Sequence, residues 1–185
     1  MLLDLPFDAL RYATKRASEE GVADLSQAVA ASGSALPFAP ASFTAIGHSD
    51  VLCCLPDKLD MLRECRRIAT GDARMLFFVI APTGGLSGAK LDEALEAGPA
   101  FVGVPDDYAS LLEASGWNLQ ARTDLTEDYL SALQRLVKGL EAGAETLPDV
   151  MGAEAYADEL LRRRLQTDAI ERGLLEREMF LARAD

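Results

Sequence analysis

A chain of 185 residues with 49% apolar content is long enough to bury one sizeable core. The 30 acidic residues outweigh 18 basic ones, for a net charge of −12 and a pI near 4.5, which argues against nucleic acid as a partner. No apolar run reaches the roughly 18 residues that read as a membrane span. The N-terminus also lacks the basic and apolar regions of a signal peptide, so a cytoplasmic protein is expected. Cys53, Cys54 and Cys65 are odd in number and two are adjacent, which argues against a disulfide framework. With a single histidine there is no metal-binding pattern, and free thiols in a reducing compartment are expected.

In chain order, MLLDLPF reads as the end of a strand turning into a loop. Asp8 is placed to cap a helix whose Ala9, Leu10, Ala13 and Ala17 face inward and which Gly21 ends. Gln27–Ala31 and Ser42–Ser49 are the next strand candidates. A helix opening at Pro56 or Asp57 carries Leu59, Leu62, Cys65, Arg66 and Ile68 on one face, with Gly71 as its stop. Arg74–Ala81 is a nearly continuous apolar run, as expected of a parallel strand buried on both faces.

Downstream, Leu91–Ala97 reads as a short helix. Asp106–Ser115 reads as another, with Tyr108, Leu111 and Leu112 inward and Gly116 as its stop. Trp117–Leu125 alternates as a strand. Helices over Glu127–Ala142 and Ala153–Glu171 precede a last strand, Leu174–Arg183, with Met179, Phe180 and Leu181 inside. Alternation of strand and helix predicts an α/β fold of doubly wound, mostly parallel type. Residues 126–172 read as a helical insertion before the last strand, within one domain covering 1–185.

Three local patterns carry a family resemblance. Leu3-Asp4-Leu5 is followed by Ala31-Ser32-Gly33-Ser34-Ala35-Leu36-Pro37-Phe38. Then comes Phe43-Thr44-Ala45-Ile46-Gly47-His48-Ser49-Asp50, ahead of the helix bearing Arg63-Glu64-Cys65-Arg66-Arg67-Ile68. Together they resemble the class I S-adenosylmethionine-dependent methyltransferases, type 11-like, with a Rossmann-like sheet. The resemblance implies S-adenosyl-L-methionine as cofactor and a small-molecule substrate. It places Asp4 and Leu5 at the cofactor's ribose, where a carboxylate can accept from both hydroxyls. It places Ser32 and Gly33 along the adenine and His48 beside the methionine portion.

Three positions depart from the family's pattern. Ser32 stands at a usual acid, Thr44 at a usual Asp, and Asp72 at a usual second glycine. His48 is also a candidate for proton transfer, with Asp50 a weaker one. No catalytic residue is assigned and no metal ligands are expected. Phe101, Tyr108, Trp117 and Tyr129 are the aromatics available to a substrate wall, although each suits the core.

The family's glycine-rich turn after a first strand has no counterpart ahead of Asp4, and Gly84-Gly85-x-x-Gly88 reads as an ordinary loop. The expectation is therefore an N-terminally truncated domain, inactive as it stands. Its missing strand would leave a sheet edge open to self-association. The alternative is a non-catalytic partner-binding remnant of a methyltransferase.

Overall fold

The computed structural model describes residues 1–104 and 107–184. The chain order is β1 (Leu2–Asp4), α1 (Phe7–Glu19), β2 (Ala28–Ala30), β3 (Phe43–Ser49), α2 (Lys58–Ile68), β4 (Ala69–Pro82) and α3 (Ala89–Ala97). It continues with α4 (Tyr108–Ala114), β5 (Trp117–Asp124), α5 (Thr126–Ala142), α6 (Leu147–Met151), α7 (Ala153–Glu171) and β6 (Leu175–Ala184). The strands form two sheets. One is the parallel pair β1-β2, and the other is four-stranded with order β3-β4-β6-β5. In the larger sheet β3 runs parallel to β4, and β6 alone runs against its neighbours. This is the mixed α/β sheet of the Rossmann-like methyltransferase fold.

Helices cover both faces of the larger sheet. On one face Ala73, Met75, Phe77 and Val79 of β4 and Phe180, Ala182 and Ala184 of β6 pack under Leu62 and Cys65 of α2 and Leu112 of α4. Trp117 is buried there, and its indole N–H donates to the Leu62 carbonyl at 3.1 Å, so the polar atom is satisfied. On the other face Ile80 and Leu175 pack with Ala94 of α3, Leu133 of α5, and Ala169 and Ile170 of α7. The last strand has Phe180 fully buried, whereas Met179 and Leu181 are only half-buried, because successive side chains point to opposite faces.

Several expectations shift. Pro6, not Asp8, precedes the first helix, and Asp8 sits in its first turn, a favourable place for a carboxylate. Ala9 is exposed, while Leu10 and Ala17 are buried. Gly71 does not stop the second helix: α2 ends at Ile68 and the chain passes directly into the extended backbone of β4. The apolar run in β4 is covered on one face only along much of its length. Arg74 is exposed and Leu76 is 36% exposed, because the helices on that side pack over the carboxyl end of the strand. Asp106, expected to begin a helix, lies outside the described residues. From Asp107 onward α4 forms, and Gly116 takes φ +79 behind it, as expected of a glycine after a helix end. All three cysteines are free thiols, Cys53 and Cys65 buried. No helix among the described residues is long and apolar enough to cross a membrane.

Candidate functional site

The two sheets face each other across a cleft of about 310 Å³, walled by β1 and the loop after β2 on one side and by β3 and α2 on the other. Asp4, Leu5, Gly33 and His48 all line it, so four of the five positions singled out in the sequence converge. The carbonyl of Asp4 accepts from the Ala31 N–H at 3.1 Å, which brings the end of β2 and the following loop beside the Asp4 carboxylate. That carboxylate accepts from the Leu5 N–H at 2.8 Å and is exposed, leaving lone pairs for a ligand. Ser32 stands just outside the lining. Its hydroxyl accepts from the Ser34 N–H at 3.2 Å, which ties it to its own turn. Gly33 packs against α2, where an added Cβ would come 3.1 Å from the Met61 sulfur.

The Leu36-Pro37-Phe38 wall is held by two side chains of α2. Leu36 N–H donates to Glu64 at 2.9 Å, while Arg67 donates to the carbonyls of Leu36 and Phe38 at 2.8 and 2.7 Å. Arg67 Nε also donates to Glu64 at 2.7 Å, and that bond holds the Glu64 carboxyl below its ordinary proton affinity. Phe38 then meets Phe43 of β3 edge-on, with ring centroids 4.9 Å apart.

His48 lies on the cleft wall, stacked on Phe77 at 5.0 Å with the ring planes nearly parallel. Both ring nitrogens are shielded and lack a hydrogen-bond partner among the described residues. Burial lowers its pKa to about 4, so the ring is neutral at neutral pH. It offers one donor and one acceptor, but so low a proton affinity makes it a poor general base.

Just beyond it, Asp50 holds φ +56, an uncommon conformation for a residue with a side chain. Its N–H donates to the Phe78 carbonyl at 2.9 Å. Its carboxylate accepts from Ser49 at 2.8 Å and from Arg177 of β6 at 2.7 Å. Arg177 in turn lies over the Tyr129 ring at 4.5 Å. Sequence reasoning missed Arg177, since no local pattern marks a partner 127 positions from Asp50. Of the four aromatics, Tyr108 and Trp117 are core, Tyr129 supports Arg177, and Phe101 is exposed. Among the described residues no group of three or more His, Cys, Asp or Glu is placed to hold a metal.

Comparison with known proteins agrees with this architecture. The family model described as Methyltransferase domain matches residues 1–77, which include every residue that lines the cleft, though not Arg177 behind Asp50. A search of curated proteins finds no match. Among solved structures, a protein assigned as a sarcosine dimethylglycine methyltransferase from Galdieria sulphuraria superposes with TM-score 0.87 at 17% identity, covering 98% of this chain and 67% of that one. Geranyl diphosphate C-methyltransferase from Streptomyces coelicolor gives TM-score 0.72 at 13% identity, over 99% and 64% of the two chains. The cyclase SpnF gives 0.75 at 14%, over 98% and 65%. The chain thus spans about two thirds of the length of these neighbours. The family match is confined to residues 1–77, and the chain as a whole has the Rossmann-like methyltransferase fold.

Proposed function

We propose that this chain serves S-adenosylmethionine-dependent methyl transfer to a small-molecule acceptor, with the cleft between β1 and β3 as the cofactor site. The observation that carries the reading is the convergence of Asp4, Leu5, Gly33 and His48 on one cleft within the family-matched segment. When bound, the cofactor supplies an electrophilic methyl group on sulfur. The protein's own work is to bind and orient. The Asp4 carboxylate accepts ribose hydroxyls. The backbone of Ser32 and Gly33 borders the adenine, and Leu36 and Phe38, clamped by Arg67, give it an apolar wall. The neutral His48 ring, its nitrogens shielded, forms a flat wall deeper in beside the methionine portion, and Asp50, tied to Arg177, closes the carboxyl end of β3. Acceleration then rests on positioning rather than on a proton-transfer group.

Substrates named for the neighbours, geranyl diphosphate among them, are small molecules and support that class of acceptor. Residues 126–172 act as a helical insertion within a single domain, and the free thiols suit a reducing cytoplasm. The polar groups that line the cleft serve chiefly the adenosine half of the cofactor, so low affinity is expected. Calorimetry with S-adenosylhomocysteine tests this. We predict a Kd on the order of 100 μM, weakened about tenfold in Asp4→Asn. Absence of binding, or binding indifferent to Asp4→Asn, would overturn the assignment of the cleft.

A second reading is favoured by the division of the sheet. β1 pairs only with β2 and β3 only with β4, and the apolar cleft lies between their unpaired edges. A catalytically silent chain that pairs with a second copy through these edges is the competing account.

A further inference from the structure

His48 and Val51 both line the cleft, and Ser49 and Asp50 form the turn between them. Asp50 takes φ +56 there, in the left-handed region that costs free energy for a residue with a Cβ. The backbone of this turn is anchored at two points. The Asp50 N–H donates to the Phe78 carbonyl at 2.9 Å, and the Cys53 thiol donates to the Asp50 carbonyl at 3.4 Å. The Asp50 side chain has one ion-pair partner among the described residues, Arg177 of β6. Arg177 Nη2 donates to the Asp50 carboxylate at 2.7 Å and to the Ser49 hydroxyl at 3.0 Å, so a single nitrogen ties both turn residues.

Arg177 is itself held by α5. Its N–H donates to the Thr126 hydroxyl at 3.0 Å, and its carbonyl accepts from the Leu125 N–H at 2.8 Å, which fixes its backbone to the start of that helix. Its guanidinium lies over the ring of Tyr129, in the first turn of α5, at 4.5 Å and over Phe78 at 5.5 Å. The Tyr129 hydroxyl and Arg163 both donate to Gln166 of α7, at 3.3 and 3.2 Å, and Gln166 is buried. A continuous set of contacts therefore runs from α7 through Tyr129 and Arg177 to the turn at the cleft.

We propose that Arg177 is a positioning residue for the cleft. Through the Asp50 carboxylate it holds the Ser49–Asp50 turn, and with it the His48 and Val51 walls, in the shape that receives the methionine portion of the cofactor. The proposal rests on the reading of this cleft as the cofactor site. It makes the site depend on a residue far outside the family-matched segment 1–77, and on the helices that hold that residue.

Contact alone does not establish coupling; a double-mutant cycle measures it. Two readouts on the whole chain serve. One is the affinity for S-adenosylhomocysteine by calorimetry. The other is the ring-proton NMR signal of His48, which is unambiguous because the chain has no other histidine. Arg177→Met keeps an unbranched apolar stem against Phe78 and Tyr129, and the Asp50 side chain, 34% exposed, can take up water, so this variant folds. It is expected to weaken S-adenosylhomocysteine about tenfold and to move the His48 resonances. Asp50→Gly removes the carboxylate and suits the left-handed backbone. In that background Arg177→Met should cost less than about twofold and leave the His48 resonances in place, because the coupling runs through the Asp50 side chain. Arg135→Met, an equal change of charge at an exposed position of α5, should alter neither readout. Unchanged affinity or unchanged resonances in Arg177→Met, or an equal effect with and without the Asp50 carboxylate, would overturn the proposal. Should the unaltered chain bind no S-adenosylhomocysteine, the cofactor assignment falls, while the resonances still decide whether Arg177 positions the cleft.

Discussion

His48 lines the cleft, yet its proton affinity is unlike that of a proton-transfer group. As the only histidine, next to the end of a strand, it invites a proton-transfer role. Stacked on Phe77 with both nitrogens sealed, it is instead held neutral. The consequence is measurable. An ordinary histidine binds its proton near pH 6.5, whereas buried His48 does so only near 4. Between these values the unfolded chain carries a proton that the folded chain refuses, so stability falls as pH drops through that window. The full effect is on the order of 3 kcal/mol. We predict that His48→Phe, which keeps the ring stack, flattens this part of the stability profile in denaturant titrations from pH 7 to 4. A profile as steep as that of the unaltered protein would refute the assignment. What was legible at this scale was position. Protonation was not, because it depends on Phe77, which lies beside His48 only through sheet pairing.

Among the elements, α2 links the core to the cleft. Helical spacing gave Leu59, Leu62, Cys65, Arg66 and Ile68 as its inward face. Leu62, Cys65 and Ile68 are buried, Met61 joins them unforeseen, and Leu59 and Arg66 are only half-buried. Its polar residues Glu64 and Arg67 grip the backbone of the loop that walls the site. Arg67→Ala leaves two carbonyls without their donors and is expected to cost about 1–3 kcal/mol in denaturant unfolding. Arg67→Lys should recover less than half of that, since an ammonium cannot reproduce the fork that spans both carbonyls and Glu64. Full recovery by lysine would mean that charge, not geometry, holds the loop. The end of α2 illustrates the limit of local signals. Gly71 looked like a stop, yet the helix ends at Ile68 because the backbone from Ala69 joins the sheet. Strand pairing outweighed the glycine.

For the whole molecule, the division between β1-β2 and β3-β4-β6-β5 is the decisive feature. It creates the cleft, and it leaves two strand edges able to accept another strand. Light scattering across a concentration series should show a mass that rises with concentration. Ala45→Lys, which places a charge at an exposed cleft-facing position of β3, should hold the chain as a monomer. A concentration-independent monomer mass in the unaltered protein would remove the self-association reading while leaving the cofactor assignment in place.

Local patterning by itself determined the longer helices and the strands, three buried positions of α2, the glycine behind α4, and the residues around Asp4 and His48 that resemble the methyltransferase pattern, while the short α6 read as a loop. Each of these signals lies within a few neighbours along the chain, where spacing and turn chemistry act directly. Only the tertiary structure decided that Arg177 would reach Asp50 and that Tyr129 would lie against its guanidinium. It also decided that the outer face of β4 would stay partly open at Leu76. These arrangements follow from strand order and from which helix covers which part of a face. Contacts between segments so far apart in sequence leave no periodic trace in either one.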